Sequence, residues 1–360
     1  MACNRLAGVV CVAMAVLVVG VQAAGAATLP QLPTTAWWSS LLPGGGTVPT
    51  AGSGTASSAG SLPGKSISGT YTGTGGSLDY IGYVPSSYKS GSAVPLVVSL
   101  HGCTETADTF RQLTRWDQLA EAKGFIVVFP QQPASANYQK CWNFFQDADM
   151  HRGSGEPALI AGITGWVQQH YTVDPHRVYV AGLSAGGAMA SVMGATYPDL
   201  YAAIGVESGC EYAATATCAG YKSADPAQAA KAAYTAMGAN ARVIPLIAFQ
   251  GDKDTTVPPV NGDQLVQQWL TSDDLADDGA ANGSVSTAPA STVQGQVPNG
   301  QSYTVSYYND AQGDHVAEYW LVHGMSHAWS GGCSCEPYSD PSGPDATAAM
   351  YAFFMSHPMP

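Results

Sequence analysis

The sequence predicts an α/β fold in which a mostly parallel central sheet is flanked by helices. Several short runs rich in Val and Ile lack polar alternation, which is typical of strands buried on both faces. Longer stretches with helical spacing lie between these runs, and this alternation favours a parallel sheet. The six predicted strands are VPLVVSLHG (94–102), GFIVVFP (124–130), RVYVAGLS (177–184), YAAIGVESG (201–209), VIPLIAFQGD (243–252) and EYWLVHGMSH (318–327).

Four other segments complete the expected domain. FRQLTRWDQLAEAK (110–123) and PALIAGITGWVQQHY (157–171) have the apolar spacing of helices. SLDYIGYVPSSY (77–88) predicts an antiparallel strand at the start of the domain. Residues 271–301 are acidic and of low complexity, so we expect a surface loop there.

The N-terminal region predicts export. Arg5 precedes the apolar run LAGVVCVAMAVLVVGV, and the small residues AAGAA follow it, so we expect residues 1–26 to be a cleaved secretory signal peptide. A membrane anchor is the alternative, but the run is shorter than the roughly 20 apolar residues that a span needs. Residues 27–68 are rich in Gly, Ser and Pro and predict a flexible tail before the α/β domain at 69–360. In that tail, Trp37 and Trp38 either pack on the domain or adsorb to an insoluble surface.

Charge and cysteine content exclude some classes of partner. Thirteen basic against twenty-six acidic residues give a net charge of -13, which repels nucleic acid and anionic lipid surfaces. Of eight cysteines, Cys3 and Cys11 would leave with the signal, and the remaining six suggest three disulfides in an exported chain. The stretch HGMSHAWSGGCSC (323–335) has histidines and cysteines spaced like zinc ligands, but oxidised cysteines cannot bind zinc as thiolates. We therefore expect no metal and no cofactor.

Ser184 is the predicted nucleophile. GLSAGGAM (182–189) fits Gly-x-Ser-x-Gly between a predicted strand and a helix rich in small residues. Such a turn lifts a serine above the sheet, and the flanking glycines allow close approach of neighbouring backbone. The alternative is a Gly-rich turn in which Ser184 only caps a helix.

A nucleophilic serine needs a base, which in turn needs a carboxylate to orient it, and in this architecture both follow the serine. GDKDTTVPP (251–259) follows a predicted strand and offers Asp252 and Asp254. We favour Asp254 as the orienting acid because it lies further beyond the strand end. For the same reason we favour His327 over His323 as the base.

Two backbone N–H groups should bind the oxyanion that forms during acyl transfer. We expect one from Ala185, directly after the nucleophile, and the other from Cys103, in the loop SLHGCTETAD that follows an early strand.

The motifs LHGCTETAD, KCWNFF, RGSGEP, VAGLSAGGAM, GDKDTTVPP and GMSHAWSGG…YSDPSGPDAT resemble, in this order, the polyhydroxybutyrate depolymerase type esterases. These are secreted α/β-hydrolases related to the feruloyl and acetylxylan esterases, and the likeness covers roughly residues 80–360. The resemblance implies a triad of Ser184, Asp254 and His327, an oxyanion hole at Cys103 and Ala185, and an acyl pocket lined by Trp142. It also implies a disulfide between Cys103 and Cys141.

Some features are independent of this family pattern or depart from it. Trp329 lies two residues after His327, so it is expected either at the mouth of the pocket or in the core. Glu105 stands where relatives often have glutamine. Cys210 and Cys218 flank a short loop and suit a pair. Elimination then leaves Cys333 with Cys335, but these two could also pair elsewhere or stay reduced.

The sequence therefore predicts a secreted, monomeric serine esterase that hydrolyses poly(3-hydroxybutyrate), related short-chain polyesters or their oligomers through an acyl-enzyme. The alternative is a feruloyl or acetylxylan esterase that acts on plant polysaccharide esters. A polymer-coating protein that uses Trp37, Trp38 and Trp329 without catalysis, and a zinc protein, are the two hypotheses from other classes.

Overall fold

A computed structural model describes residues 62–214, 216–219 and 225–360. The predicted signal peptide, most of the predicted tail, Trp37 and Trp38 lie outside the described residues. Within the described ranges, no helix combines the length and apolarity needed to cross a membrane.

A large twisted sheet organises the part of the chain that the structure describes. Ten strands there lie in the order β1-β2-β4-β3-β5-β6-β7-β10-β9-β8, and β11 pairs with β12 in a separate small ribbon. The bounds are β1 Lys65–Gly73, β2 Gly76–Val84, β3 Val94–Leu100, β4 Ile126–Gln131, β5 Val173–Leu183, β6 Ala203–Glu207, β7 Leu246–Gly251, β8 Ser291–Gln296, β9 Ser302–Asn309, β10 His315–Val322, β11 Trp329–Ser330 and β12 Ser339–Asp340.

The six central strands, β4-β3-β5-β6-β7-β10, are parallel, and antiparallel strands extend the sheet at both edges. These six are the strands predicted from the runs without polar alternation, so the predicted α/β class with a mostly parallel sheet is confirmed. The antiparallel strand predicted at 77–88 is also confirmed, because β2 pairs antiparallel with both β1 and β4.

Helices cover both faces of the sheet. On β3, Leu96 and Val98 pack into one apolar cluster, whereas Val97 packs into a second cluster on the opposite face. This double burial explains the absence of polar alternation along the strand. The helices are α1 Ala107–Thr114, α2 Trp116–Lys123, α3 Gly155–His170, α4 Ala185–Thr196, α5 Pro226–Met237, α6 Pro259–Asp278 and α7 Ala346–Ser356.

Two segments differ from the expectation. Strand β1 begins at Lys65, four residues before the predicted start of the domain, because its small polar residues have the composition of a linker while alternating against β2. The loop predicted at 271–301 is wrong in two places, because 271–278 belong to α6 and 291–296 form β8. Asp273 is buried in α6 and accepts a hydrogen bond from the backbone of Ile244, so the polar composition concealed a packed helix face.

Candidate active site

Ser184 lies on a sharp turn between β5 and α4. Its backbone has φ +57° and ψ −122°, a conformation that L-residues rarely adopt. The two glycines of the motif make the turn possible. A Cβ on Gly186 would lie 2.1 Å from the carbonyl oxygen of Leu100, and one on Gly182 would lie 2.4 Å from the backbone of Gly186. The turn is held in place by a 2.9 Å hydrogen bond from the Ser184 backbone N–H to the Glu207 carbonyl.

Asp254 lies three residues beyond β7 and its side chain is buried. Its Oδ1 accepts hydrogen bonds from the backbone N–H groups of Thr256 and Val257, both at 2.8 Å. Its Oδ2 lies 2.7 Å from Nδ1 of His327. Burial raises the pKa of Asp254, but the contacts with His327 and the two N–H groups outweigh burial and leave the pKa below its usual value. The carboxylate is therefore ionised at neutral pH.

His327 lies on the loop that follows β10, and Ser184 and His327 both line one cavity of about 420 Å³. Because Nδ1 of His327 contacts Asp254, the other ring nitrogen, Nε2, is left as the one available for proton transfer.

The alternative acid and base form a second pair of their own. His323 Nδ1 lies 3.2 Å from Asp252 Oδ2, and of the described residues neither is among those that line the cavity. The structure thus pairs Asp254 with His327 and Asp252 with His323, and of these four described residues only His327 lines the cavity together with Ser184.

Cys103 and Ala185 also line the cavity. Ala185 is the first residue of α4, where N–H groups have no partner within the helix. On the other side of the cavity, the N–H of Gly102 donates to Glu105 at 2.7 Å and that of Thr104 donates to the Gln139 carbonyl at 2.5 Å. These two bonds hold the backbone just before and just after Cys103.

The Cys103–Cys141 disulfide joins this loop to the opposite cavity wall across 38 residues of sequence. We expect the double variant Cys103→Ser/Cys141→Ser to lose about 4 kcal/mol of unfolding free energy, because the bridge restricts a long loop in the unfolded chain. Chemical denaturation measures this loss. The matched control, Cys333→Ser/Cys335→Ser, opens a bridge across a sequence separation of 2 and should cost only about 1 kcal/mol. Equal losses in the two double variants would contradict the loop-length explanation.

The pocket role expected for Trp142 needs correction, and of the two positions considered for Trp329 the core is the one observed. Trp142 is fully buried and donates its indole N–H to the His101 carbonyl at 3.0 Å, so it supports the cavity from behind and does not line it. Trp329 is also fully buried. Its indole N–H donates to the Thr347 hydroxyl at 3.0 Å, and its ring packs edge-on against Phe110 in the core. Both indoles satisfy their polar atom inside the protein, which is what makes complete burial of tryptophan tolerable.

The aromatic walls of the cavity come instead from Phe144, Phe145 and Tyr338. The two phenylalanines follow Trp142 in CWNFF, so the motif does contribute aromatic rings to the cavity, but these are Phe144 and Phe145 and not Trp142. Tyr338 is 43% exposed and its ring meets that of His327 edge-on at 6.2 Å. No local sequence pattern predicts the position of Tyr338, because that position depends on the hydrogen bond from the backbone N–H of Trp329 to the Tyr338 carbonyl.

Two buried carboxyl groups adjoin the site and were not predicted to matter there. Glu105 lines the cavity, and burial, opposed by the Gly102 N–H, raises its pKa to about 7. Glu207 is fully buried beneath the nucleophile turn, where burial holds its pKa well above the ordinary value. Its Oε1 accepts a hydrogen bond from the Ser330 backbone N–H at 2.5 Å, which ties the end of β6, beside the nucleophile turn, to the segment that follows His327.

The cysteines near this site are oxidised. Cys210 pairs with Cys218, and Cys333 with Cys335, so the latter two offer no thiolate to a metal. In the described ranges, no group of three or more His, Cys, Asp or Glu side chains is arranged to hold a metal ion.

Comparison with known proteins gives a consistent set of relatives. Residues 78–292 match the protein family described as "Esterase PHB depolymerase". A poly(3-hydroxyalkanoate) depolymerase C from Paucimonas lemoignei is 32% identical over 262 residues, which cover 70% of this chain and 58% of the relative. Acetylxylan esterase A from Emericella nidulans is 35% identical over 203 residues, which cover 52% of this chain and 64% of the relative. The chain thus spans less than two thirds of the length of either relative.

Among solved structures, the acetyl xylan esterase from Aspergillus awamori is similar to this chain with a TM-score of 0.61 and 27% sequence identity. The match covers 73% of this chain and 94% of that structure.

Proposed function

This chain belongs to the esterase PHB depolymerase family and has an α/β-hydrolase fold. From that premise we propose that it is a carboxylic ester hydrolase that cleaves short-chain hydroxyalkanoate polyesters or their oligomers through Ser184, His327 and Asp254. The observation that carries the proposal is the buried Asp254–His327 contact of 2.7 Å beside a cavity that also contains Ser184 on its strained turn.

In the proposed first half-reaction, Nε2 of His327 takes the proton of the Ser184 hydroxyl while its oxygen attacks the ester carbonyl carbon. The resulting oxyanion accepts hydrogen bonds from the N–H groups of Ala185 and Cys103. Protonated His327 then gives its proton to the departing alcohol, and the ionised Asp254 stabilises the imidazolium in the meantime. An acyl-enzyme on Ser184 remains.

In the second half-reaction, His327 takes a proton from water, whose oxygen attacks the acyl-enzyme carbonyl. The second oxyanion collapses, the carboxylic acid leaves, and Ser184 regains its proton from His327. Every step uses groups of this chain, substrate and water.

The cavity suits a neutral acyl chain larger than acetyl. Its volume of about 420 Å³ lies in the range of roughly 300–1,000 Å³ that is typical of small-molecule sites. Its walls include the apolar side chains of Phe144, Phe145 and Val257, with Thr104, Gln139 and Thr256 as polar groups. Among the described residues that line it there is no Lys or Arg, which favours neutral ester units over a chain-end carboxylate. We therefore propose attack on internal, uncharged ester units.

Acetylxylan ester hydrolysis is the second candidate function. It is favoured by the structural match to the Aspergillus awamori esterase, which extends over 94% of that enzyme. The two candidates share the mechanism and differ only in the acyl group and the alcohol.

We further propose that residues 1–26 direct secretion, that 27–68 form a tail and that the enzyme acts outside the cell as a single α/β domain. The three disulfides among the described residues support an oxidising location.

A substrate panel tests the proposed specificity. Purified enzyme would be given 3-hydroxybutyrate oligomers, amorphous poly(3-hydroxybutyrate), acetylated xylan and methyl ferulate, with Ser184→Ala as the control for non-enzymatic release. We expect kcat/KM on the oligomers to exceed that on the acetyl and feruloyl esters by at least about tenfold, since the larger acyl unit fills more of the apolar cavity. A reversed order would assign the enzyme to the polysaccharide esters.

We expect ionisation of Glu105 to lower activity at high pH, and we expect the neutral variant Glu105→Gln to lose this effect. Above its pKa of about 7 the carboxylate adds a negative charge beside the loop that binds the oxyanion. Glu105→Gln keeps an oxygen that can accept the Gly102 N–H and removes the charge. At pH 8.5 we expect kcat/KM to rise about threefold to tenfold, as one nearby charge at an effective dielectric constant of about 20 implies after screening.

The control for this prediction is the same comparison at pH 5.5, where Glu105 is protonated and the two proteins should differ by less than twofold. Because the pKa of Glu105 is raised from 4.5 to about 7, this group costs folding stability as pH rises from about 4.5 to about 7, and the cost is constant above that. Thermal unfolding of Glu105→Gln should therefore lose less stability between pH 5 and 8 than wild type. A constant activity ratio across pH would contradict the charge effect.

A further inference from the structure

The Asp252–His323 pair lies beside the site but has no part in the proposed chemistry. The strand pairing of β7 with β10 ends at Gly251 opposite Val322. Beyond that point the chain must place Asp254 and His327, which are 73 residues apart in sequence, within hydrogen-bond distance. The loop after β7 and the loop after β10 therefore have to be held at a fixed distance and orientation.

Backbone hydrogen bonds hold these two loops together in part. Asp252 N–H donates to the Val322 carbonyl and Lys253 N–H donates to the Met325 carbonyl, both at 3.0 Å. The approach is close, since a Cβ on Gly251 would lie 2.3 Å from the Met325 carbonyl oxygen.

The Asp252 side chain spans the two loops as well. Its Oδ1 accepts the Gly324 N–H at 2.8 Å, and Gly324 has a φ of +93° that favours glycine. Its Oδ2 lies 3.2 Å from His323 Nδ1. Burial raises the pKa of Asp252, but the contacts with Gly324 and His323 outweigh it and leave the pKa below its ordinary value, so the carboxylate is ionised and strengthens both hydrogen bonds.

Thr304 on β9 sets the orientation of the His323 ring. Its hydroxyl lies 2.9 Å from His323 Nε2, and His323 N–H donates to the Ser302 carbonyl at 2.8 Å. When the hydroxyl donates to Nε2, the ring hydrogen lies on Nδ1, facing Asp252. The ring is thus held between Asp252 on one side and Thr304 on the other.

We propose that Asp252 and His323 are a positioning pair that holds the loop of Asp254 and the loop of His327 at the separation needed for their 2.7 Å contact. The pair lies two residues before Asp254 and four before His327, so it is the last side-chain link across the two loops before the residues proposed to act. This inference rests on the proposed roles of Asp254 and His327.

Steady-state kinetics on p-nitrophenyl butyrate test the pair. We expect Asp252→Asn and His323→Ala to lower kcat about tenfold to a hundredfold with KM changed less than twofold, because a small misplacement of the base acts on the transition state. His323→Asn should recover most of the lost kcat, since its amide N–H can donate to Asp252 from the position of Nδ1. The matched control is Asp174→Asn, an aspartate paired with Arg177 at 2.7 Å at the opposite end of β5; its kcat should stay within twofold of wild type.

The outcomes separate positioning from simple stability. Thermal unfolding of each variant gives the folded fraction by which kcat is corrected. A corrected kcat at wild-type level in Asp252→Asn and His323→Ala, or equal loss in His323→Asn and His323→Ala, would overturn the positioning role. Activity of wild type that is absent in Ser184→Ala shows separately that the proposed function holds, so failure of the pair is distinct from failure of the triad.

Discussion

Replacing Ser184 with alanine should lower kcat for ester hydrolysis by about 10⁵-fold to 10⁶-fold, because the attacking oxygen is lost and no other group can form the acyl-enzyme. The fold should remain, since alanine occupies the turn with the same backbone and a smaller side chain. The residual rate would reflect substrate binding and the oxyanion-binding N–H groups alone. Measurement requires initial rates on a soluble ester at matched protein concentration, together with thermal unfolding of both proteins.

Ser208→Ala is the matched control for this experiment. Ser208 follows β6, the neighbouring strand, is buried, and also has a positive φ, of 46° against 57° for Ser184. It does not line the cavity, so its alanine variant should keep activity within about twofold. In addition, a fluorophosphonate should label wild type once and fail to label Ser184→Ala. Retention of more than a thousandth of the activity in Ser184→Ala would remove Ser184 from the proposed mechanism.

Replacing Asp254 with asparagine should lower kcat by about 10³-fold to 10⁴-fold, with the protein still folded. Asparagine keeps the shape and an oxygen that can accept the Thr256 and Val257 N–H groups. It loses the charge that stabilises the imidazolium, and its amide N–H favours the tautomer of His327 that carries the hydrogen on Nε2. That tautomer cannot take the proton of Ser184. The decrease should appear in kcat more than in KM, since the charge matters most in the transition state.

Two other aspartates calibrate this result. Asp314→Asn changes an exposed carboxylate in the turn before β10 and should leave kcat unchanged. Asp252→Asn should fall between the two, as expected for a residue that positions others. If Asp252→Asn were the more severe of the two variants, then the assignment of the orienting acid between Asp252 and Asp254 would have to be exchanged.

Much of the fold was predictable because it depends on local patterns. The six buried strands appear as apolar runs, since strands covered on both faces must be apolar at every position. The resemblance to the polyhydroxybutyrate depolymerase type esterases is confirmed by the family match over 78–292. The first strand and the end of α6 were missed, because Lys65–Gly73 has linker-like residues and Asp273 is polar yet buried against the backbone of Ile244.

The cavity was predicted less well than the strands. The family resemblance implies Trp142 as a pocket residue, and the position of Trp329 two residues after His327 suggests the pocket mouth or the core. Both are buried with their indole N–H groups satisfied. Tyr338 escaped notice because the segment between Ser330 and Ser339 leaves the ribbon of β11 and β12 and returns beside His327. Whether an aromatic ring faces the cavity or the core depends on the elements that pack against it. Residue spacing along the chain does not encode this.

The sequence alone was sufficient for the α/β class, the Ser184 turn and the short sets of acid and base candidates, because each depends on residues adjacent along the chain. Position beyond the strand ends already favoured Asp254 over Asp252 and His327 over His323, but only the tertiary structure places His327 at the cavity and in contact with Asp254. The two aspartates and the two histidines have similar local surroundings, and what separates them is which carboxylate meets which ring across two loops some 70 residues apart. The 2.7 Å contact of the buried pair and the 3.2 Å contact of the outer pair arise from the register of β7 against β10, which is a property of the folded sheet.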